Sequence, residues 1–165
     1  MKNSYKNRFE KIIFLDIDGV LVLYPGSQSH AANNTNKVFS KCAMENLKKI
    51  IDKTNAAIVM SSSWRLFREY AGIYRNELAK YGIDTARIVG CTINMAGDCK
   101  DIIADPVLLR SHEIKDYVER HELKNYIILD DFDLDDKEHL IKTNMHFGLT
   151  DELAELAIES LLTTN

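Results

Sequence analysis

The stretch Ile12-Ile13-Phe14-Leu15-Asp16-Ile17-Asp18-Gly19 decides the fold. Its apolar half, residues 12–15, is too short for a buried helix and has the β-branched character of an inner strand in a parallel sheet. The run ends on Asp16 and Asp18, and ligands bind beyond the carboxyl ends of strands in open α/β sheets. Gly19 lets the backbone turn sharply beside such a ligand. We therefore expect Asp16 and Asp18 to act together with a cation.

The composition is that of one globular domain, and we predict a single domain over residues 1–165 with a polar lead-in at 1–10. A chain of 165 residues can bury roughly two-thirds of the surface that it exposes when unfolded. The net charge of -4 gives no general affinity for nucleic acid, although it leaves room for a local basic patch.

The cysteine content and the lengths of the apolar runs indicate where in the cell the protein is expected. Cys42, Cys91 and Cys99 are odd in number and lack CxxC spacing, which argues against a disulfide framework or a zinc knuckle. No signal peptide and no apolar run of membrane-spanning length is recognisable. We expect a cytoplasmic protein with no membrane partner. Cys91 has no indicated His partner, so we expect it to pack in the core.

Strand and helix patterns alternate along the chain. Apolar runs predict strands at 11–15, 56–60, 87–91 and 126–129, with a short edge strand at 140–143. Helical spacing predicts four helices: one capped by Ser40 and ending near Thr54, one over 66–81 ended by Gly82, one capped by Ser111 and reaching His121, and one capped by Thr150. This alternation predicts a doubly wound, mainly parallel α/β sheet.

Several segments fall between these elements. Residues 20–24 read as a short extended flap, and 25–37 as a loop that could form a lid. Residues 136–139 are expected to form one helical turn, and the acidic run at 133–136 a solvated loop. The stretch 92–109 has no clear period, and its shape cannot be assigned.

Three of the apolar runs stop on chemically useful groups: Asp16 and Asp18, then Ser61, then Asp130 and Asp131. Parallel strands bring these ends to one edge of the sheet. Four carboxylates in one place raise each other's pKa values unless a cation is present. Carboxylate and carbonyl oxygens without nearby His or Cys suit Mg²⁺, which commonly binds a substrate phosphate as well. The pattern thus favours phosphoryl chemistry.

These motifs resemble those of the haloacid dehalogenase (HAD) superfamily of phosphatases. Asp16-Ile17-Asp18-Gly19-Val20-Leu21 is similar to its first motif, Ser61 to its second, and Ile127-Ile128-Leu129-Asp130-Asp131 to its fourth. The third, a Lys or Arg, is best matched by Arg110, with Lys115 as the rival. An Asp pair after a strand also fits a turn or a cap, but four elements in the right order argue against coincidence. The resemblance implies a Rossmann-like HAD core.

A narrower likeness covers nearly the whole chain. Ser61-Ser62-Ser63-Trp64-Arg65, Arg110 with Glu113-Ile114, and the segment 148–152 resemble the HAD domain of "Swiss Army knife" RNA repair proteins and their stand-alone relatives. Arg110-Ser111 stands where such a motif often has Arg-Gly. That departure leaves the arginine itself in place.

The resemblance implies a role for each matched residue. Asp16 would be the nucleophile that forms an aspartyl phosphate, and Asp18 the general acid and then the base, with its carbonyl on Mg²⁺. Ser61 would donate a hydrogen bond to the phosphoryl group. Arg110 would balance the charge of the phosphoryl group. Asp130 would bind the metal directly, and Asp131 would be a further ligand or an orienting group.

Three residues after the second predicted strand, Ser62, Trp64 and Arg65, have two interpretations each. Ser62 is a candidate for substrate binding, although loop or capping roles suit it better, and Arg65 could reach a substrate phosphate or a nearby acid. Lys115 is a further candidate for substrate binding. Trp64 is expected to pack, with substrate stacking as the alternative.

The spacing of the motifs leaves no room for an independent cap domain, either between Gly19 and Ser61 or between Ser61 and Arg110. By the logic of the family, such open sites act on macromolecules or chain ends, so the expected partner is a phosphorylated nucleic-acid end or a phosphoprotein. The alternatives are a non-catalytic module that binds a phosphate or a partner in the same pocket, and a metal-dependent phosphotransferase or mutase.

Overall fold

The computed structural model describes residues 9–24, 38–96 and 105–163. The strands are β1 (Ile12–Leu15), β2 (Ala57–Met60), β3 (Ile88–Cys91), β4 (Tyr126–Asp130) and β5 (Leu140–Lys142). The helices are α1 (Lys41–Thr54), α2 (Arg68–Lys80), α3 (Pro106–His121) and α4 (Asp151–Thr163). The loop predicted as a lid at 25–37 and Cys99 lie outside the described residues.

The five strands form one parallel sheet in the order β3-β2-β1-β4-β5. All four residues of β1 are buried, as the apolar run requires for a central strand. Ile13 lies in register with Ile58 of β2 and Ile127 of β4. The predicted doubly wound, parallel α/β fold is confirmed, with β5 at an edge.

The helices cover the two faces of the sheet unequally. Ile13 and Leu15 face a large core that α1, α2 and α4 complete, whereas Phe14 faces a smaller core closed by α3. On that smaller side Phe14 makes an edge-to-face contact with Tyr117, at 5.6 Å between ring centroids. Among the described residues, no helix has the length and apolar character needed to cross a membrane.

Several predicted helix ends are confirmed. The Ser40 hydroxyl accepts a hydrogen bond from the Ala43 amide at 3.4 Å at the start of α1. Gly82 follows α2 with a φ of 74°, the left-handed conformation expected of it. The Thr150 hydroxyl accepts from the Leu153 amide at 3.4 Å at the start of α4.

The third helix begins earlier than predicted. Asp105 caps it, accepting from the Val107 amide at 2.9 Å, and Pro106 occupies the first helical position, where its fixed φ is favourable. Ser111, the predicted cap, lies inside α3 and donates to the Val107 carbonyl at 3.0 Å. Residues 106–109 of the unassigned stretch are therefore helical, and Arg110 lies in the second turn.

The predicted helix at 66–81 is in fact two elements. A short 3₁₀ helix over Ser63–Leu66 precedes α2, and Ser62 caps it by accepting from the Trp64 amide at 3.4 Å. Tyr74 and Leu78 are buried in the core as expected of the apolar stripe. Leu66 is not part of that stripe, because it is exposed.

Two smaller predictions concern a turn and a cysteine. Residues 137–139 form a turn next to Asp136, whose side chain accepts a hydrogen bond from the His139 amide at 3.3 Å, so the helical turn predicted at 136–139 is reduced to this turn. Cys91 is exposed rather than packed in the core, because β3 is an edge strand whose residues alternate between partial burial and exposure.

Candidate active site

Backbone hydrogen bonds tie together the carboxyl ends of β1, β2 and β4. The Asp16 amide donates to the Leu129 carbonyl at 3.0 Å, and the Ser61 and Ser62 amides donate to the Leu15 carbonyl at 3.1 and 3.3 Å. The three polar strand ends recognised in the sequence therefore meet at one edge of the sheet.

Three carboxyl groups cluster at this edge. Asp16, Asp130 and Asp131 each offer an oxygen, and these oxygens lie within 4.8 Å of one another. Asp16 and Asp130 are buried, while Asp131 is half-buried. The structure thus brings together three of the four residues predicted to hold a metal.

Arg110 joins two of these carboxylates. Its Nη1 donates to Oδ2 of Asp130 at 2.8 Å and to Oδ2 of Asp16 in a second, shorter hydrogen bond. The Phe132 ring lies beneath the guanidinium, 4.6 Å from centroid to Cζ. The rival cation Lys115 is exposed and pairs with Glu119 at 3.9 Å. Within the described ranges, Arg110 is therefore the cation in contact with the acidic cluster.

Burial and mutual repulsion change the pKa values of the clustered groups. Burial raises the pKa of Asp130, and the Asp16 carboxylate raises it further, whereas Arg110 opposes both effects. The same two causes raise the pKa of Asp131. Burial alone would lower the pKa of Arg110, but Asp16 and Asp130 outweigh it and hold that pKa above the ordinary value.

Asp18 is held apart from the three clustered carboxyl groups. The Trp64 indole donates to its Oδ2 at 2.8 Å, and the Tyr24 hydroxyl is a second hydrogen-bond partner. Burial, followed by the charge of Asp18, raises the pKa of Tyr24 to about 12. Trp64 is buried, as predicted for a packing residue, and it also orients Asp18, a contact that the sequence did not indicate.

Gly19 is required by the geometry of the cluster. Its φ is 75°, and a Cβ at this position would come within 2.5 Å of Oδ2 of Asp131. Its carbonyl accepts from the Thr143 hydroxyl at 2.8 Å, which fixes the turn after β1 to the segment after β5. The sharp turn expected at this glycine therefore lies against a carboxylate of the site.

Two buried hydroxyls at this edge have no hydrogen-bond partner in the described part of the chain. They belong to Ser61, directly after β2, and Thr92, directly after β3. A buried hydroxyl without a partner is costly, and ligand binding is one way to satisfy it. Thr92 was missed by the sequence reasoning, although it follows a predicted strand just as Ser61 does.

The three residues expected to bind substrate have other contacts in the structure. Ser62 is fully buried and caps the 3₁₀ helix. Arg65 forms a buried ion pair with Glu113, the nearby acid that was its alternative partner. Lys115 is exposed on α3. Their binding of substrate stays a prediction.

The acidic loop after β4 is separate from the cluster. Asp133 is exposed and pairs with Lys137 at 2.8 Å, and Asp136 accepts from the Tyr126 hydroxyl at 2.7 Å. Although burial opposes it, the hydrogen bonds from Tyr126 and His139 lower the pKa of Asp136. These contacts agree with a solvated loop.

The donor set fits a hard divalent cation. The clustered groups are all carboxyl oxygens, the ligands that suit Mg²⁺ rather than zinc. Among the residues that the structure describes, one guanidinium contacts this cluster of three carboxyl groups. A further positive charge would offset the burial and the mutual repulsion that raise the pKa values of Asp130 and Asp131.

The family described as "HAD domain in Swiss Army Knife RNA repair proteins" matches residues 12–154, which include all five strands and the whole acidic cluster. The chain belongs to this family, and the resemblance indicated by its motifs is confirmed. Comparisons with curated proteins and with solved structures found no match. Membership of the family supports a HAD-type hydrolase.

Proposed function

We propose that this protein is a Mg²⁺-dependent phosphomonoesterase that works through an aspartyl phosphate. The observation that supports it best is the arrangement at the sheet edge. Arg110 contacts both Asp16 and Asp130 there, and the Ser61 hydroxyl, which has no partner within the described residues, lies on the adjoining strand end. This arrangement offers a nucleophile, a fixed positive charge and a free hydrogen-bond donor for one phosphoryl group.

Asp16 is suited to attack phosphorus. Its Oδ1 accepts from the Ile17 amide at 2.8 Å, which fixes the carboxylate plane, while Oδ2 contacts Arg110. In the first step the Asp16 carboxylate forms a bond to phosphorus, the ester P–O bond breaks, and Asp18 gives its proton to the departing oxygen. In the second, Asp18 takes a proton from water, whose oxygen displaces Asp16 and releases phosphate.

Mg²⁺ would be held by the carboxylates of Asp16, Asp130 and Asp131, whose oxygens lie close together. The resemblance to the family adds the Asp18 carbonyl as a further ligand. When bound, the ion supplies positive charge that lets an anionic nucleophile approach an anionic phosphate. Ser61 and Arg110 provide the remaining donors, and such oriented groups stabilise charge on the transferring oxygens.

We propose a phosphorylated nucleic-acid end as the substrate. The description of the family refers to RNA repair proteins, and the motif spacing leaves no room for a cap domain over the site. Two exposed aromatic residues lie in the segments that follow strands of this sheet: Phe67 at the start of α2, and Phe147 in the turn after β5. Rings in such positions can stack on bases without reading their sequence. Action in the cytoplasm stays a prediction.

The test is hydrolysis by the purified protein. We expect Mg²⁺-dependent release of p-nitrophenol from p-nitrophenyl phosphate, which Asp16→Asn abolishes. A panel of nucleotides, 3′- and 5′-phosphorylated oligonucleotides and phosphopeptides then identifies the leaving group. Lack of turnover on the whole panel with Mg²⁺ present would refute the proposal. Phosphate binding without turnover would favour a non-catalytic module, and transfer to an added acceptor a phosphotransferase.

A further inference from the structure

Every N–H donor of the Arg65 guanidinium is used within the protein. Its Nε donates to the Thr92 carbonyl at 2.9 Å, and its Nη1 donates to the carbonyls of Ser61 and Ser62, both at 2.9 Å. Its Nη2 donates to the Ile93 carbonyl at 3.1 Å and to Glu113. A guanidinium has five N–H groups, so none is left for a substrate.

Glu113 completes this arrangement from the other side. Its carboxylate pairs with Arg65 through Oε2 and accepts from the Met95 amide through Oε1 at 3.0 Å. Both side chains are buried, with 6% of Arg65 and 3% of Glu113 exposed. Glu113 lies in α3, three residues after Arg110, so the pair connects that helix to the segments after β2 and β3.

We propose that Arg65 and Glu113 are positioning residues for the phosphoryl site, a pair that we name the Arg65–Glu113 clamp. The inference rests on the proposed function, because it assigns the clamp the task of holding Ser61 and Arg110 where they meet the phosphoryl group. Arg65 itself contacts no substrate in this assignment.

The position of the Ser61 hydroxyl depends on its backbone, because the hydroxyl has no partner of its own in the described part of the chain. The Leu15 carbonyl holds the amides of Ser61 and Ser62, and Arg65 holds their carbonyls. Both sides of this peptide segment are therefore fixed. Thr92, whose hydroxyl is also unpartnered among the described residues, is held by the same guanidinium.

The charge of Glu113 is needed because a buried guanidinium without a counter-ion is strongly destabilising. When Glu113 is neutralised, Arg65 can still donate to the four carbonyls. The electrostatic attraction between Arg65 and α3 is lost. We therefore expect the segment carrying Ser61 to loosen before the fold is lost.

The kinetic test is a double-mutant cycle between Arg65→Lys and Ser61→Ala, measured as kcat/KM on p-nitrophenyl phosphate. Lys retains the charge but has three donors, so it cannot make all five contacts. Arg65→Lys is expected to lower kcat/KM about tenfold in the wild-type background and about twofold or less when Ser61 is already Ala. Arg120→Lys, a substitution at an exposed ion pair on the same helix as Glu113, is the matched control.

A second measurement does not depend on activity. In Glu113→Gln, amide hydrogen exchange by NMR is expected to accelerate about tenfold at Ser61, Ser62 and Thr92, while Ile13 in the central strand is unchanged. Glu119→Gln, at an exposed position of α3, is expected to change none of these rates.

The outcomes separate the two proposals. If the wild type is active and the effects of Arg65→Lys and Ser61→Ala on kcat/KM are additive, the positioning role is refuted. Unchanged exchange at the amides of Ser61, Ser62 and Thr92 refutes it as well. Neither result contradicts the proposed phosphatase function. A wild type that is inactive on every phosphate ester refutes the proposed function, and the positioning role falls with it.

Discussion

The Trp64 indole donates a hydrogen bond of 2.8 Å to Oδ2 of Asp18, across 46 positions of the chain. The same indole is buried against Phe39 and Tyr70, so one side chain belongs both to the core and to the site. The packing of the segment after β2 therefore helps to fix the orientation of the proposed general acid on the segment after β1.

Trp64→Phe is expected to lower kcat while the protein stays folded. Phe keeps most of the buried ring but lacks the N–H group, and a hydrogen bond of this kind contributes about 1 kcal/mol. With that donor lost, Asp18 samples other orientations, and kcat on p-nitrophenyl phosphate should fall about tenfold. Tyr70→Phe alters the same aromatic cluster without changing a donor to Asp18 and serves as the control. Full kcat in Trp64→Phe would show that this contact is structural only.

Ser61→Ala is expected to lower activity without lowering stability. The hydroxyl is buried without a partner in the described chain, so removing it should leave the free energy of unfolding unchanged or raise it by up to about 1 kcal/mol. Loss of a donor to the transition state should lower kcat about a hundredfold. Urea denaturation and steady-state kinetics on one preparation measure both quantities.

Thr92→Val is the matched comparison, because Val has nearly the shape of Thr and the Thr92 hydroxyl is likewise unpartnered within the described ranges. A gain in stability of about 1 kcal/mol with unchanged kcat would show that Thr92 stands outside the phosphoryl site. If Ser61→Ala costs as much stability as a large core truncation, the Ser61 hydroxyl has a structural partner and does not serve as a free donor to the phosphoryl group.

The parts of the fold and site that the sequence predicted are those set by local patterns. The apolar run at 12–15, followed by Asp16, places a central strand and the carboxylate at its end, because parallel strands share one edge. Asp130 follows the same rule. The start of α3 was not predicted, because Asp105 and Pro106 lie in a stretch without helical periodicity. A capping Asp followed by Pro is a helix-start signal, but no apolar pattern around it supported a helix.

Contacts between distant segments could not be predicted in the same way. Glu113 has the pattern of an ordinary helical residue, and only the packing of α3 shows that it is buried against Arg65. Trp64 has the pattern of a core residue, and only the structure shows that the 3₁₀ helix, which two residues separate from β2, directs its N–H at Asp18. Thr92 carried a usable signal, its place after a strand, but the strand is short and at an edge.

Arg110→Gln is expected to make the stability of the protein depend on Mg²⁺. Arg110 is the cation in contact with Asp16 and Asp130, and removing one partner of a buried pair typically costs about 3 kcal/mol. In EDTA the Tm should fall, and Mg²⁺ should raise it more in the variant than in the wild type, because the ion then supplies the missing charge. Arg120→Gln is the exposed control. An equal Mg²⁺ response in wild type and variant would contradict a shared carboxylate site.

The stabilisation by Mg²⁺ is expected to increase with pH. Burial, with Asp16 adding to it, raises the pKa of Asp130 from 3.8 to about 7. Without metal, the folded state therefore binds more protons than the unfolded state at pH values between these two pKa values. The free energy of unfolding then falls as the pH rises through that range. Mg²⁺ requires the ionised carboxylate, so its binding releases a proton below about pH 7 and strengthens as the pH approaches that value.

The measurement is the Tm difference with and without Mg²⁺ at about pH 5.5 and about pH 8. The difference should be larger at the higher pH. Asp130→Asn should reduce the Mg²⁺ effect at both values and remove most of its pH dependence. A Tm difference that is the same at both pH values in the wild type would show that Asp130 is not the group whose proton Mg²⁺ displaces.

Phe147→Ala is expected to impair turnover of oligonucleotides selectively. Phe147 is 70% exposed. The turn that carries it contacts the flap after Asp18, because the Tyr24 amide donates to the Met145 carbonyl at 2.9 Å and His146 contacts the Tyr24 carbonyl at 2.7 Å. Because this turn adjoins the site, its ring is placed to stack on a base beside the phosphate, an interaction that contributes about 1–3 kcal/mol.

The variant should raise KM about tenfold for a phosphorylated oligonucleotide and leave kcat/KM for p-nitrophenyl phosphate unchanged, because the small ester has no base next to its phosphate. Leu156→Ala, at an exposed apolar position on α4, is the control for loss of exposed apolar surface. Equal losses on oligonucleotide and p-nitrophenyl phosphate would mean that the turn supports the flap near Asp18. A loss confined to phosphopeptides would replace the nucleic-acid end with a protein as the substrate.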